Sequence, residues 1–495
     1  MRKRIVSLCV AASLFFVGIG GRIGYIVFSR NYNVSDSYNS YKLTVDISEP
    51  QFYFNDGTKI NNNVTEYVAV IRPTNDDLRN IQKYYSSDEL STITKSLKEG
   101  YPIVRLIDKP VADIKTLEVN KTHSTLTQLI SSQSNGLANY AQMPKRELSV
   151  NFHIDAMGRF LAGDRGRVSS VDYNSQEGLV LTIDSKIQNV AVQAAQSIKS
   201  GCVVVMDAKN AKILAVVNKP DSTYVNKAFE KYAVGSVFKI AVAAAALENN
   251  IDFRFTCTGE TRVGDTTFSC QNNRNHGAEN LEAALANSCN CYFVNLALEL
   301  GKDKIITTAK KLGFGTALNL YNNWNLQTSH LPSDSDLDSK GELSLLGFGQ
   351  GKLLASPLQI CSTLCTVAND GTYIRPSLVY AKRERNGSIT EIKNNNSVHA
   401  VSKDTSKELR DYLRTVVTDG TGANAETLRH LSSGKTATAQ TGQFIENREI
   451  YNTWFAGLYP YNEPKYAIVV MCEDGTSGAA DCCPVFRTIV ENIDK

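Results

Sequence analysis

A mixed α/β protein, built as two or three domains behind an N-terminal membrane tether, is the fold that the sequence predicts. Three observations predict it. The chain has 495 residues, enough for more than one domain. Apolar runs of helical length, residues 240–247 first among them, alternate with short strand-like runs such as residues 150–154 and the Thr/Ala alternation after Lys435. Near the N-terminus a long uncharged segment follows a basic cluster.

In chain order, Arg2, Lys3 and Arg4 form the basic flank, and residues 5–21 are uncharged and mostly apolar. Arg22 interrupts before the apolar pattern resumes over residues 23–28. A span of 5–28 is long enough to cross a bilayer, with Arg22 snorkelling toward the outer headgroups. A cleaved signal peptide would have a shorter apolar core and a small-x-small site, for which Gly18-Ile19-Gly20 is available. The length favours an uncleaved anchor. The positive-inside rule then places residues 1–4 in the cytoplasm and the chain after about Arg30 outside. Both readings export the remainder.

Residues 29–175 are polar and rich in Ser, Asn and Thr, with apolar alternation at Tyr67-Val68-Ala69-Val70-Ile71. Residues 77–100 read as helical and 150–154 as a strand, which predicts a small separate domain. The net charge of +3, with mixed signs throughout, no basic arm and no aromatic RNA-binding motif, excludes a nucleic-acid partner. No period of 20–50 residues is evident.

The remainder carries the chemistry. Ser236-Val237-Phe238-Lys239 opens the Ala-rich run. Serine and lysine three residues apart share one helix face, and the helix N-terminus adds free N–H groups and partial positive charge. A hydroxyl with an amine in reach to take its proton is an activated nucleophile. Ser288-Cys289-Asn290 follows, between a helical stretch at 281–286 and an apolar stretch at 292–300. Lys435-Thr436-Ala437-Thr438 comes third, between Gly434 and Gly442, and reads as a strand edge. A phosphate-loop reading of Gly434-Lys435-Thr436 fails, because it requires glycine at position 429, which is arginine.

S-x-x-K, then S-x-N, then K-T-G in that order resembles the signature of penicillin-recognising serine enzymes. The match looks like the transpeptidase domain of class B penicillin-binding proteins. Flanking stretches agree: Leu181 to Gln188, Gly201 to Asp207, Gly349-Gln350-Gly351, Ser356-Pro357-Leu358-Gln359, Asn369-Asp370-Gly371 with Pro376, and Asp419-Gly420-Thr421-Gly422. The resemblance covers 176–495. It implies an α/β sandwich with a central antiparallel five-stranded sheet flanked by helices, the nucleophile helix buried between subdomains. It also implies a non-catalytic pedestal at 29–175, behind a transmembrane anchor at 5–28 and a cytoplasmic tail at 1–4. The pedestal assignment rests on position, since Asp155-Ala156-Met157-Gly158 and Asp164-Arg165-Gly166 only faintly echo that domain's hallmark.

The resemblance implies roles as well. Ser236 attacks the penultimate D-Ala carbonyl of a D-Ala-D-Ala stem peptide, and Lys239 is the general base. Ser288 relays a proton to the leaving amine, and Asn290 holds Lys239 and the substrate amide. Lys435 faces the substrate carboxylate with Thr436 and Thr438 as hydrogen-bond partners. The N–H groups of Ser236 and Thr438 form the oxyanion hole. Peptidoglycan stem peptides and β-lactams are the implied ligands, the membrane and a polytopic membrane glycosyltransferase the implied partners, and no cofactor is implied.

Two departures from the family stand out. Ala437 replaces glycine, the smallest possible intrusion on the ligand's approach, so a working site with altered β-lactam affinity is expected. Val234 replaces a common proline, which changes loop stiffness and not chemistry. A D,D-carboxypeptidase and a non-catalytic cell-wall scaffold are the rival readings. A β-lactamase is disfavoured because no strong Glu-x-x-x-Asn candidate lies between the second and third motifs and because a tethered two-domain layout is unusual for one.

Of the 11 cysteines, Cys9 lies in the apolar segment. Cys257 and Cys270 bracket a Gly/Thr-rich loop and are the disulfide candidates in an exported protein. Cys289 and Cys291 read as small core residues, and Cys482 and Cys483 are too close in sequence to bond each other. Neither Cys361/Cys365 nor Cys289/Cys291 has a partner pair at zinc-finger spacing, so the sequence predicts no metal.

Overall fold

The computed structural model describes residues 2–28, 39–48, 50–60, 62–123, 126–131, 136–143, 146–155, 157–161, 163–170, 173, 175–221, 225–393, 397–427 and 431–495. The expected start of the second segment, residues 29–38, and Ala156 of the pedestal echo lie outside them. One helix, α1 (Arg2–Phe28), contains Val6–Tyr25, which is long and apolar enough to cross a membrane and is exposed along its length. Twenty residues at 1.5 Å each span about 30 Å, the thickness of a bilayer's hydrocarbon core.

The chain divides into two compact units. The first gathers residues up to Ser48, Thr65–Asn120 and Lys145–Asn174. Its elements are β1 (Ser40–Ser48), β2 (Asn62–Ile71), α2 (Asn75–Ile81), α3 (Ser87–Leu97), β3 (Ile103–Ile107), β4 (Lys115–His123), β5 (Arg146–His153) and β6 (Arg167–Ser169). One three-stranded sheet runs β1-β5-β6 and another β3-β2-β4. The expected helix over 77–100 is two helices. The first ends at Ile81, and Ser86 caps the start of the second: its hydroxyl accepts from the Glu89 N–H while the Glu89 carboxylate returns to the Ser86 N–H. That reciprocal cap satisfies two helix-end donors, which a serine inside a continuous helix cannot do. Ala69, Ile71, Ile81, Ile93 and Leu97 form the core beneath them.

The second unit gathers Glu49–Val64, Lys121–Pro144 and Ser175–Lys495. Its principal elements are α4 (Ser185–Ala194), β7 (Gly201–Asp207), β8 (Ile213–Lys219), α5 (Lys239–Glu248), α6 (Leu281–Ala286), α7 (Asn290–Leu300), α8 (Pro357–Ala368), α9 (Lys403–Thr418), β9 (Ser433–Ile445), β10 (Arg448–Tyr459), β11 (Tyr466–Glu473) and α10 (Cys483–Asn492). Five strands form one sheet in the order β8-β7-β11-β10-β9, every neighbouring pair antiparallel. The expected five-stranded antiparallel sheet is therefore present.

Strand periodicity explains the layers. Val203 and Val205 of β7 face a core completed by Ile187 and Ala191 of α4 and by Val485, Phe486 and Ile489 of α10. Cys202, Val204 and Met206 point to the opposite face, where Leu358 and Leu364 of α8 and the alanines of α5 cover them. Residues of both parities are buried, so the central strands read as continuous apolar runs. On α5, residues Lys239 through Ala246 are all buried, as a helix without a polar face must be.

Candidate active site

Ser236 sits in a 3₁₀ turn, Gly235–Phe238, and α5 begins at Lys239. The sequence placed the serine at the start of the α-helix itself. The tighter turn alters the geometry usefully, because side chains three residues apart eclipse at three residues per turn. Within the turn Val237 and Phe238 are buried while Ser236 is partly exposed. Gly235 holds φ +54°, and its N–H donates to the Gly349 carbonyl at 3.0 Å. A Cβ on Gly349 would lie 1.9 Å from the Gly235 oxygen, so the two backbones touch because neither residue has a side chain.

Lys239 is 0 % exposed. Its Nζ donates to the Ser288 carbonyl at 2.8 Å, to Ser288 Oγ at 3.2 Å and to Asn290 Oδ1 at 2.8 Å. The Phe293 ring lies 5.3 Å from the ammonium. Burial lowers the lysine pKa to about 8, while Cys289, Cys270, Cys291 and Glu279 pull it the other way. The first and second motifs are thus one hydrogen-bonded unit.

Local structure shapes the second motif. α6 ends at Ala286, and Ser288 takes φ +55°, a left-handed conformation uncommon for serine. Cys289 then caps α7, its Sγ accepting from the Tyr292 N–H at 3.4 Å. Asn290 Nδ2 donates to the Ser269 carbonyl at 3.0 Å. Both ends of this amide are therefore engaged within the protein, its oxygen by Lys239.

The third motif lies on β9, the edge strand, with Lys435 opposite Ala456 and Thr438 opposite Thr453 of β10. Lys435 is fully buried, and its Nζ donates to the Thr436 carbonyl at 3.0 Å. Burial, and next the like charge of Lys239, push its pKa well below the usual lysine value. Thr436 Oγ1 and Thr421 Oγ1 are 2.6 Å apart, which ties Asp419-Gly420-Thr421-Gly422 to the strand. Thr438 is partly exposed. A Cβ on Gly235 would meet the Ala439 Cβ at 3.0 Å, so the nucleophile turn lies directly against β9. Trp454 of β10 reinforces this join by donating its indole N–H to the Ala233 carbonyl at 3.1 Å.

Ala437, the departure from glycine, is buried: it is 4 % exposed and belongs to the main hydrophobic core. The parity of β9 puts its methyl group on the face of Lys435 and Ala439, which meets the nucleophile turn, and opposite the Thr438 side chain.

Sequence reasoning missed several participants. Glu279 is buried beside the site, receives a 2.8 Å hydrogen bond from Asn287, and has a pKa raised by burial. More unexpected is a set of sulfurs. Cys257 and Cys270 are free thiols with Sγ atoms 3.7 Å apart. They meet His276 and Cys289, all four ligand-type atoms lying within 4.8 Å of one another. The sequence reading found no Cys/His cluster because these residues come from separate hairpin ends rather than tight pairs.

Residues 201–491 match the penicillin binding protein transpeptidase domain. The chain belongs to this transpeptidase family. Stage V sporulation protein D of Bacillus subtilis is 30 % identical over 362 residues, which cover 66 % of this chain and 54 % of that protein. The chain therefore spans about half the length of this relative. The D,D-transpeptidase domain of a peptidoglycan glycosyltransferase from Eggerthella lenta superposes with a TM-score of 0.64 at 23 % identity, covering 90 % of this chain and 97 % of that one. Penicillin-binding protein 3 of Mycobacterium tuberculosis, solved with aztreonam, gives a TM-score of 0.63 at 21 % identity over 90 % of this chain and 96 % of its own. All three motifs of this penicillin-binding transpeptidase domain fall inside the matched span.

Proposed function

We propose that this chain is a class B peptidoglycan D,D-transpeptidase that works through a Ser236 acyl-enzyme. The clamp on Lys239 carries the proposal: a buried amine of lowered pKa, held by Ser288 and Asn290, one turn from the partly exposed Ser236. Neutral Lys239 takes the Ser236 proton as Oγ adds to the carbonyl carbon of the penultimate D-Ala. The N–H groups of Ser236 and Thr438 receive the oxyanion. Ser288 passes a proton to the departing D-Ala amine, and the tetrahedral centre collapses to an ester. The amine of a neighbouring stem peptide then displaces Ser236 and forms the cross-link.

Lys435 serves as a hydrogen-bond donor on the side of the substrate carboxylate, whose arriving negative charge favours its ammonium form, with Thr436 and Thr438 lining β9. A β-lactam enters the same path, and its opened ring stays attached to Ser236. The relatives support this reading, one named for a D,D-transpeptidase domain and another solved with a β-lactam. Helix α1 serves as a single-pass anchor with residues 1–4 in the cytoplasm and the catalytic domain, 176–495, outside. Residues 29–175 act as a pedestal, and a polytopic membrane glycosyltransferase supplies the glycan strands.

Intact-mass spectrometry of the detergent-solubilised protein with benzylpenicillin tests the assignment. A long-lived adduct that Ser236→Ala lacks is the expected result. An adduct that decays while hydrolysed drug accumulates would mark a β-lactamase. Release of D-Ala from a stem peptide without a cross-linked product would mark a carboxypeptidase.

A further inference from the structure

Four side chains with metal-ligand chemistry converge behind the second motif. Cys257 ends the strand Phe255–Cys257, Cys270 follows the strand Thr266–Ser269, His276 precedes the strand Gly277–Glu279, and Cys289 caps α7. The Sγ atoms of Cys257 and Cys270 are 3.7 Å apart, as are those of Cys270 and Cys289. His276 Nδ1 lies 3.5 Å from Cys257 Sγ. A disulfide brings its sulfurs to about 2.05 Å, so none of these pairs is bonded. A tetrahedral ion at about 2.3 Å from sulfur and 2.0 Å from nitrogen sets its sulfurs about 3.8 Å apart, and sulfur and nitrogen about 3.5 Å apart. The observed spacings match those distances.

We propose that Cys257, Cys270, His276 and Cys289 form a structural Cys₃His site for a zinc ion. Three further observations support it. The three cysteines are buried, and backbone N–H groups already point at two sulfurs: Gly259 N–H at Cys257 Sγ and Tyr292 N–H at Cys289 Sγ, each 3.4 Å. Such donors favour thiolate over thiol and orient a ligand. The segment between Cys257 and His276 has little apolar core, since only Val263 and Phe268 contribute large buried side chains. A short hairpin with so little apolar core gains its stability from a staple.

The site matters because of where Cys289 sits, between Ser288 and Asn290. Asn290 further donates to Ser269, the residue before Cys270. The ion therefore fixes both sides of the clamp around Lys239. With four protein ligands the site is closed, so the ion positions the second motif and takes no part in acyl transfer. Ion binding displaces three thiol protons to solvent and leaves three Zn–S bonds and one Zn–N bond. Cys291, whose Sγ is 3.5 Å from that of Cys270, stays outside the set and donates toward the Phe268 carbonyl.

Elemental analysis of the full chain in detergent, purified with reductant and without chelator, is the test. About one zinc per chain is expected in the wild type and in Cys291→Ser, falling at least about tenfold in His276→Ala and Cys270→Ser. Exchange for Co²⁺ should produce the visible absorption of tetrahedral thiolate-bound cobalt in the wild type. That readout does not depend on how the variants fold. Folded wild-type protein that binds neither added Zn²⁺ nor Co²⁺ would overturn the proposal. So would peptide mapping that finds Cys270 in a disulfide in metal-free native protein, or loss of zinc from Cys291→Ser but not from His276→Ala. Metal content is read without reference to acylation, so the result stands apart from the transpeptidase reading.

Discussion

At Lys239 the protein sets burial, which favours the neutral amine, against neighbouring thiols and Glu279, which favour the ammonium. Burial is the larger effect, and the pKa comes to about 8. Only the neutral form can accept the Ser236 proton. Below that pH the neutral fraction falls about tenfold per unit, so acylation by benzylpenicillin should fall in the same proportion and level off on the alkaline side. A pH–rate profile of adduct formation checks this, and a rate that climbs toward acid would contradict it. Asn290→Leu removes the 2.8 Å acceptor from the amine. A hydrogen bond to a charged group is worth about 1.5–3 kcal/mol, so acylation should slow by about 10- to 100-fold. The residue types of the first two motifs were legible because their spacing is local. The sulfur cluster was not, because its members meet only through tertiary folding.

At the scale of elements, two short pieces position the nucleophile: the turn Gly235–Phe238 and the glycine loop behind it. Gly349 holds φ +84° and presses its backbone against Gly235. In Gly349→Ala the added methyl collides with backbone that cannot rotate away, so the turn must move. Displacement of about 1 Å at a reacting group costs about 100-fold in rate, and a loss of that order is expected in the acylation assay. Ala437→Gly argues the opposite way. Its methyl group lies in the core, so removing it should lower stability by roughly 0.5–1 kcal/mol and change acylation little. Thermal unfolding and adduct kinetics on the same variant separate those effects. The strand itself was legible from Thr/Ala alternation. Which parity faces the core was not, because that depends on the helices covering the sheet.

The whole molecule is less simply partitioned than a cut at 175/176 suggests. Glu49–Val64 and Lys121–Pro144 belong to the unit that contains the sheet. Their polar, Ser/Asn-rich surroundings hide this in the sequence. Yet Phe52, Ile60, Leu126, Leu129, Ile130 and Leu137 lie in the same core cluster as Val237, Phe238 and the alanines of α5. The strand Gln51–Tyr53 also pairs in parallel with Gly178–Leu181, which a chain starting at residue 176 would leave as a bare edge. Each large apolar side chain contributes about 1.5–3 kcal/mol on burial. Losing six is comparable to the entire net stability of a domain, about 5–15 kcal/mol. A protein of residues 176–495 should therefore be insoluble or unfold at least about 10 °C below one of residues 39–495. Differential scanning fluorimetry on the two proteins decides the matter. Equal unfolding temperatures would show that the two excursions decorate the core without supporting it. A large difference would mean that the nucleophile helix depends on residues more than a hundred positions upstream.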